Sequence, residues 1–85
     1  MEKFTYTTKG VCSRKINLDI ENGVVVKVTF EGGCSGNTQG VAALAEGMKV
    51  DEVIGRVKGI KCGFKSTSCP DQLAQALMEY KAQNA

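Results

Sequence analysis

Two stretches of alternating apolar and polar residues, separated by Glu21-Asn22-Gly23, constrain this chain more than anything else in it. From Arg14 to Glu21 the residues Ile16, Leu18 and Ile20 share one face, and from Val24 to Phe30 so do Val24, Val26, Val28 and Phe30. A period of two marks half-buried strands, and an Asn-Gly step between them marks a hairpin. Residues opposite each other in an antiparallel pair share a face, so even numbers must meet even numbers. A two-residue Asn22-Gly23 loop pairs Glu21 with Val24 and breaks that rule. A three-residue loop pairs Ile20 with Val24, puts Gly23 in the left-handed position of a bulge, and obeys it. In that register Leu18 faces Val26, Ile16 faces Val28 and Arg14 faces Phe30. Cys12 then comes opposite Gly32, with Cys34 its diagonal neighbour at roughly 7–8 Å.

The rest of the chain fits around that hairpin. Phe4 to Thr8 alternates as well and reads as a first strand. After Cys34 the period becomes helical: Val41, Leu44, Ala45 and Met48 form one stripe, with Gly47 as a stop signal. Val50, Val53, Ile54 and Val57 form a second, starting near Asp51 and ending before Gly59, with Gly55 weakening it. Ile60 to Ser68 has no period. A last helix starts at Pro70, with Cys69 as its N-cap, Gln72 at its third position and Leu73, Leu77 and Tyr80 as its buried stripe. The expected architecture is α+β: a three-stranded antiparallel sheet with three helices on one face, in the order β-β-β-α-α-α.

Eighty-five residues make one domain, spanning 1–85, with a modest core, and an apolar share of 42% is that of a globular chain. A net charge of +2 with scattered lysines and arginines does not suit a nucleic-acid surface. Met1 to Gly10 has no apolar stretch and is no signal peptide, and no segment approaches the roughly 20 apolar residues of a membrane span. The expected location is the cytoplasm, and any partner is another protein. There is no histidine. Imidazole acid–base chemistry is therefore excluded, and a metal would have to be held by thiolate, carboxylate or backbone.

Four cysteines, Cys12, Cys34, Cys62 and Cys69, are the candidate functional residues. In a chain without an export signal they point to metal or redox chemistry rather than structural disulfides. Cys34 and Cys69 stand at helix entrances, where unpaired N–H groups and the helix dipole favour a thiolate. No C-x-x-C pair is present, so no zinc-finger, ferredoxin or thioredoxin spacing is matched. The count alone leaves a metal site and ordinary buried thiols both open. Gly32 to Thr38 has the glycines but neither the lysine of a P-loop nor a dinucleotide fingerprint, so its glycines serve tight turning around Cys34. Met48, Tyr6 and Tyr80 read as packing residues, and Lys58, Lys61 and Lys65 as a solvated face.

Gly32-Gly33-Cys34, Gly36-Asn37, Gly47-Met48, Cys62-Gly63 and Thr67-Ser68-Cys69-Pro70-Asp71-Gln72-Leu73 together resemble the TSCPD-domain proteins over nearly the whole chain. A related domain ends many adenosylcobalamin-dependent ribonucleotide reductases. A chain of 85 residues cannot hold the radical-generating barrel of that reaction, so the resemblance does not imply reductase activity here. More distantly, the element order is similar to iron–sulfur cluster scaffolds of the IscU and NifU type, with Cys12, Cys34 and Cys69 at the scaffold's three cysteine positions. The scaffold's aspartate two residues after the first cysteine is Arg14 here, and its histidine before the last is Ser68. Its proline-containing chaperone loop is matched only by Val57 to Lys61, which has no proline. Cys62 is the addition.

Four thiolates close a tetrahedral site and favour retention of zinc or an iron–sulfur cluster over its release. The expected function is a non-enzymatic metal-binding module, accessory to cluster or nucleotide metabolism. Its rivals are a thiol redox shuttle for a ribonucleotide reductase, using Cys62 and Cys69 as a dithiol, and an interaction domain with incidental thiols.

Overall fold

A computed structural model describes residues 1–11, 13–32, 35–61, 63 and 67–83. Three strands, β1 (Glu2–Thr7), β2 (Ser13–Glu21) and β3 (Val24–Gly32), precede three helices, α1 (Ser35–Ala45), α2 (Val50–Val57) and α3 (Cys69–Gln83). The strands form one antiparallel sheet in the order β1-β2-β3. One sheet face carries Ile16, Leu18, Ile20, Val25 and Val28, all buried against Ala42, Ala45, Val50, Val53, Leu73, Ala76 and Leu77 of the helices. The other face is polar. There Thr5 bonds to Asn17 at 2.9 Å, Asn17 to Glu31 at 2.8 Å, and Lys3 approaches Asp19 at 3.8 Å. The α+β order expected from the sequence is the order observed.

The hairpin turns differently from the parity expectation. Asn22 (φ 53°) and Gly23 (φ 75°) both have positive φ, making the two-residue type I′ turn whose twist matches its strands. Glu21 does pair with Val24, and Ile20 with Val25. Parity is restored one step later: Asp19 pairs with Lys27, so Val26 is the extra residue of a bulge and 40% exposed. From there Leu18 meets Val28 and Ile16 meets Phe30, two residues beyond the expected partners. The bulge has a tertiary cause. The Val25 N–H donates to the Met48 carbonyl at 2.8 Å, and the Val25 carbonyl accepts from Gly47 at 2.7 Å. The start of β3 thus pairs with the α1–α2 connection as well as with β2. Sequence alternation cannot register that demand.

A second irregularity sits at the open end. Ser13 pairs with Gly32 and Lys15 with Glu31, leaving Arg14 as the extra residue. Ser13 rather than Arg14 therefore turns inward, and it is buried. The partner expected opposite Gly32 was Cys12; it is Ser13.

Two helical expectations are corrected. Leu44 does not join the α1 stripe: it is 78% exposed, and Thr38, Ala42 and Ala45 are the buried positions. Small residues let α1 lie close on β3, and Leu44 falls outside that narrow contact. Cys69 is not the N-cap of α3. The Ser68 hydroxyl accepts the Asp71 N–H at 3.1 Å and the Ser68 carbonyl accepts the Gln72 N–H at 2.8 Å, so Ser68 caps the helix and Cys69 is its first residue. Farther along, α3 is held to β1 by an edge-on Phe4–Tyr80 contact (ring centroids 6.0 Å apart) and by the Tyr80 hydroxyl donating to Glu2.

Candidate metal centre

Of the four candidate ligands only Cys69 lies among the described residues; Cys12, Cys34 and Cys62 lie outside them, as does Lys65. Cys69 is a buried free thiol in the first turn of α3. Its sulfur stands 3.4 Å from the Ser13 hydroxyl, the inward residue that the Arg14 bulge delivers. Among the described residues no three cysteine, aspartate or glutamate side chains converge as metal ligands would.

The segments that lead to the other three cysteines can be followed to their last described residues. Ser13, the neighbour of Cys12, touches Cys69. Gly32, two residues before Cys34, is the ladder partner of Ser13. Ile60, two residues before Cys62, offers its carbonyl to the Ser68 hydroxyl at 2.6 Å. Two of these approaches reach the start of α3, at Cys69 and at its cap Ser68, and the third pairs with the first of them.

That turn is built from buried polar side chains. Thr67, Ser68, Asp71 and Gln72 are all buried. Thr67 donates its hydroxyl hydrogen to Asp71 Oδ2 and accepts from Gln72 Nε2 at 3.0 Å. Asp71 Oδ1 accepts the Gly59 N–H at 2.7 Å, and Gln72 Oε1 accepts the Lys9 N–H at 3.0 Å. Burial alone would raise the Asp71 pKa. Hydrogen bonds from Thr67, the Gly59 amide and Gln75, together with the charge of Lys58, outweigh it and hold this carboxyl below its ordinary range. No buried side-chain N or O among the described residues lacks a partner.

A family model for the TSCPD domain matches residues 2–81. The chain belongs to the TSCPD domain family. No curated protein and no solved structure matches it. The run that gives the domain its name, Thr67 to Asp71, acquires a physical reading here. Thr67 links Asp71 to Gln72, Ser68 caps α3, Cys69 presents a buried sulfur, Pro70 occupies a first-turn site where no N–H is needed, and Asp71 holds the exit of α2. Sequence reasoning picked out Cys69 and passed over Ser13, Thr67 and Asp71. The spacing Ser68-x-x-Asp71 was the available signal, since it matches an N-terminal cap with an acidic residue in the first turn. Among the described residues no helix is long and apolar enough to cross a membrane.

Proposed function

We propose that this TSCPD domain is a non-enzymatic metal-binding module in which Cys12, Cys34, Cys62 and Cys69 hold zinc or an iron–sulfur cluster, as an accessory to cluster or nucleotide metabolism. The convergence of the cysteine-bearing segments on α3 carries the reading. Ser13 touches Cys69 at 3.4 Å, Gly32 pairs with Ser13, and Ile60 is tied to Ser68 at 2.6 Å. Cys12 is one residue from Ser13, Cys34 two from Gly32 and Cys62 two from Ile60. Each residue of chain reaches at most about 3.6 Å, so all three are on short tethers from one place. Thiolates are soft donors that select zinc and iron–sulfur clusters, and four of them complete either site.

The burial of Cys69 weighs against a redox shuttle, because thiols that exchange disulfides must be reachable by a partner's thiol. Unpaired thiols persist in reducing compartments, so this reading assigns the module to the cytoplasm, working with a protein partner rather than nucleic acid or membrane.

A competition titration against a zinc-binding dye on the four single Cys→Ser variants tests it. All four variants are expected to lose affinity comparably, Cys62→Ser about as much as Cys69→Ser, because serine is a poor substitute for a thiolate. If Cys62→Ser binds like the parent while the other three do not, the site is a three-thiolate one of scaffold type. Brown protein identifies iron–sulfur; colourless protein with bound metal identifies zinc. A colourless, metal-free protein with a reversible disulfide would establish the shuttle instead.

A further inference from the structure

The polar side chains at the start of α3 do more than a core requires. A buried carboxylate loses its hydration, and apolar residues of similar size would pack there without that cost. Among the described residues, each side-chain hydrogen bond that replaces the lost water at Asp71 and Gln72 leads to Thr67, to α3 itself, or to a segment approaching a cysteine. Gln72 Oε1 holds the Lys9 N–H at 3.0 Å, three residues before Cys12. Asp71 Oδ1 holds the Gly59 N–H at 2.7 Å, three residues before Cys62. The two arms join at the Thr67 hydroxyl, which accepts from Gln72 and donates to Asp71.

Contact reinforces the first arm. Gly10 has φ +72°, and a Cβ built there would come within 3.2 Å of Thr67 Cγ2. The loop between β1 and β2 therefore lies directly on the Thr67 side chain, where only a residue without a side chain sits unstrained.

We propose that Thr67, Asp71 and Gln72 form a brace that fixes the approaches of Cys12 and Cys62 relative to Cys69, with Thr67 the positioning residue that couples the two. This rests on the metal-site reading above. Asp71 is no ligand in it: Oδ1 is taken by the Gly59 amide and Oδ2 by Thr67. The Thr67 hydroxyl likewise has both its donor and an acceptor site in use. What the brace contributes is pre-organisation. Ligands from separate segments bind a metal tightly only when their relative positions are set beforehand, and groups that orient ligands matter nearly as much as the ligands.

The test is Thr67→Val against Thr67→Ser in the full chain. Valine keeps the shape and leaves both Asp71 Oδ2 and Gln72 Nε2 without their Thr67 partner; serine keeps the hydroxyl. Hydrogen exchange is followed in metal-free protein, and zinc affinity by dye competition. In Thr67→Val the Lys9 and Gly59 amides should exchange together, about tenfold faster or more, while the Leu18 and Ile20 amides of β2 keep the parent's protection. Zinc affinity should fall about tenfold, within the range seen when groups supporting a ligand are removed, and Thr67→Ser should restore both. Loosening of only one of the two amides, or equal loosening of the β2 amides, overturns the brace. So does parent-like zinc affinity in a Thr67→Val protein whose two amides have loosened. If the parent binds no zinc yet the two amides loosen together, the brace stands and the metal reading fails. Should Thr67→Val not fold, Gln72→Met removes the Lys9 acceptor alone. It should free the Lys9 amide and weaken zinc binding, and unchanged zinc affinity there overturns the proposal.

Discussion

Ser68 and Cys69 are neighbours with separate duties. Ser68 caps α3 and also donates to the Ile60 carbonyl, whereas among the described residues the Cys69 sulfur meets the Ser13 hydroxyl. Ser68→Ala should therefore cost about 1–2 kcal/mol in urea unfolding of the metal-free protein, the value of a lost cap with a second buried bond. Cys69→Ser should leave that stability nearly unchanged. Equal losses in the two variants would return the cap to Cys69. Asp71 makes a pH-dependent contribution whose sign is fixed by its lowered pKa. A carboxylate that ionises more readily in the folded state stabilises the fold fully above its unfolded value, near 4, and progressively less as pH falls through its folded value. Stability of the metal-free parent should thus drop more steeply below about pH 4 than that of Asp71→Asn. Parallel acid profiles for the two proteins would contradict it. Cys69 could be picked from the sequence because thiols are rare and chemically distinctive. Thr67 and Gln72 could not, because their partners, Lys9 and Asp71, become neighbours only through folding and helix formation.

At the scale of elements, the three strands and three helices were legible because each carries a period. What periodicity could not supply was the register of the hairpin. The alternation at Val24, Val26, Val28 and Phe30 is unbroken in the sequence, yet the chain spends one residue on a bulge so that Val25 can bond Gly47 and Met48. Side chains are read from the pattern of one strand, whereas a bulge answers to a third segment of chain. The two valines make this measurable. Val25 is fully buried and Val26 is 40% exposed. Val25→Ala should cost roughly 1–3 kcal/mol, while Val26→Thr should change stability by less than about 0.5 kcal/mol. Thermal or urea unfolding decides it, and a larger loss from Val26→Thr would restore the three-residue loop. Leu44 fails the helical pattern for a related reason: α1 meets β3 through alanine and threonine, a contact too narrow to include it.

At the scale of the whole molecule, the sheet's open end and the first turn of α3 bring distant parts of the chain to one place. Ile16, Leu18, Leu73 and Leu77 belong to the apolar core, whereas this arrangement is built from polar side chains. The arrangement is understandable if segments carrying four cysteines must end near each other. Their convergence was only partly visible beforehand, through the hairpin, because the contribution of α3 runs through Ser13 and Ile60, residues with no distinctive chemistry of their own. The most direct test of the central claim is the metal content of anaerobically purified protein, measured by elemental analysis together with the number of thiols open to alkylation. About one metal centre per chain is expected, with the four cysteines protected until a chelator is added. Four freely alkylated thiols and no bound metal, even after reconstitution with zinc or with iron and sulfide, would contradict it.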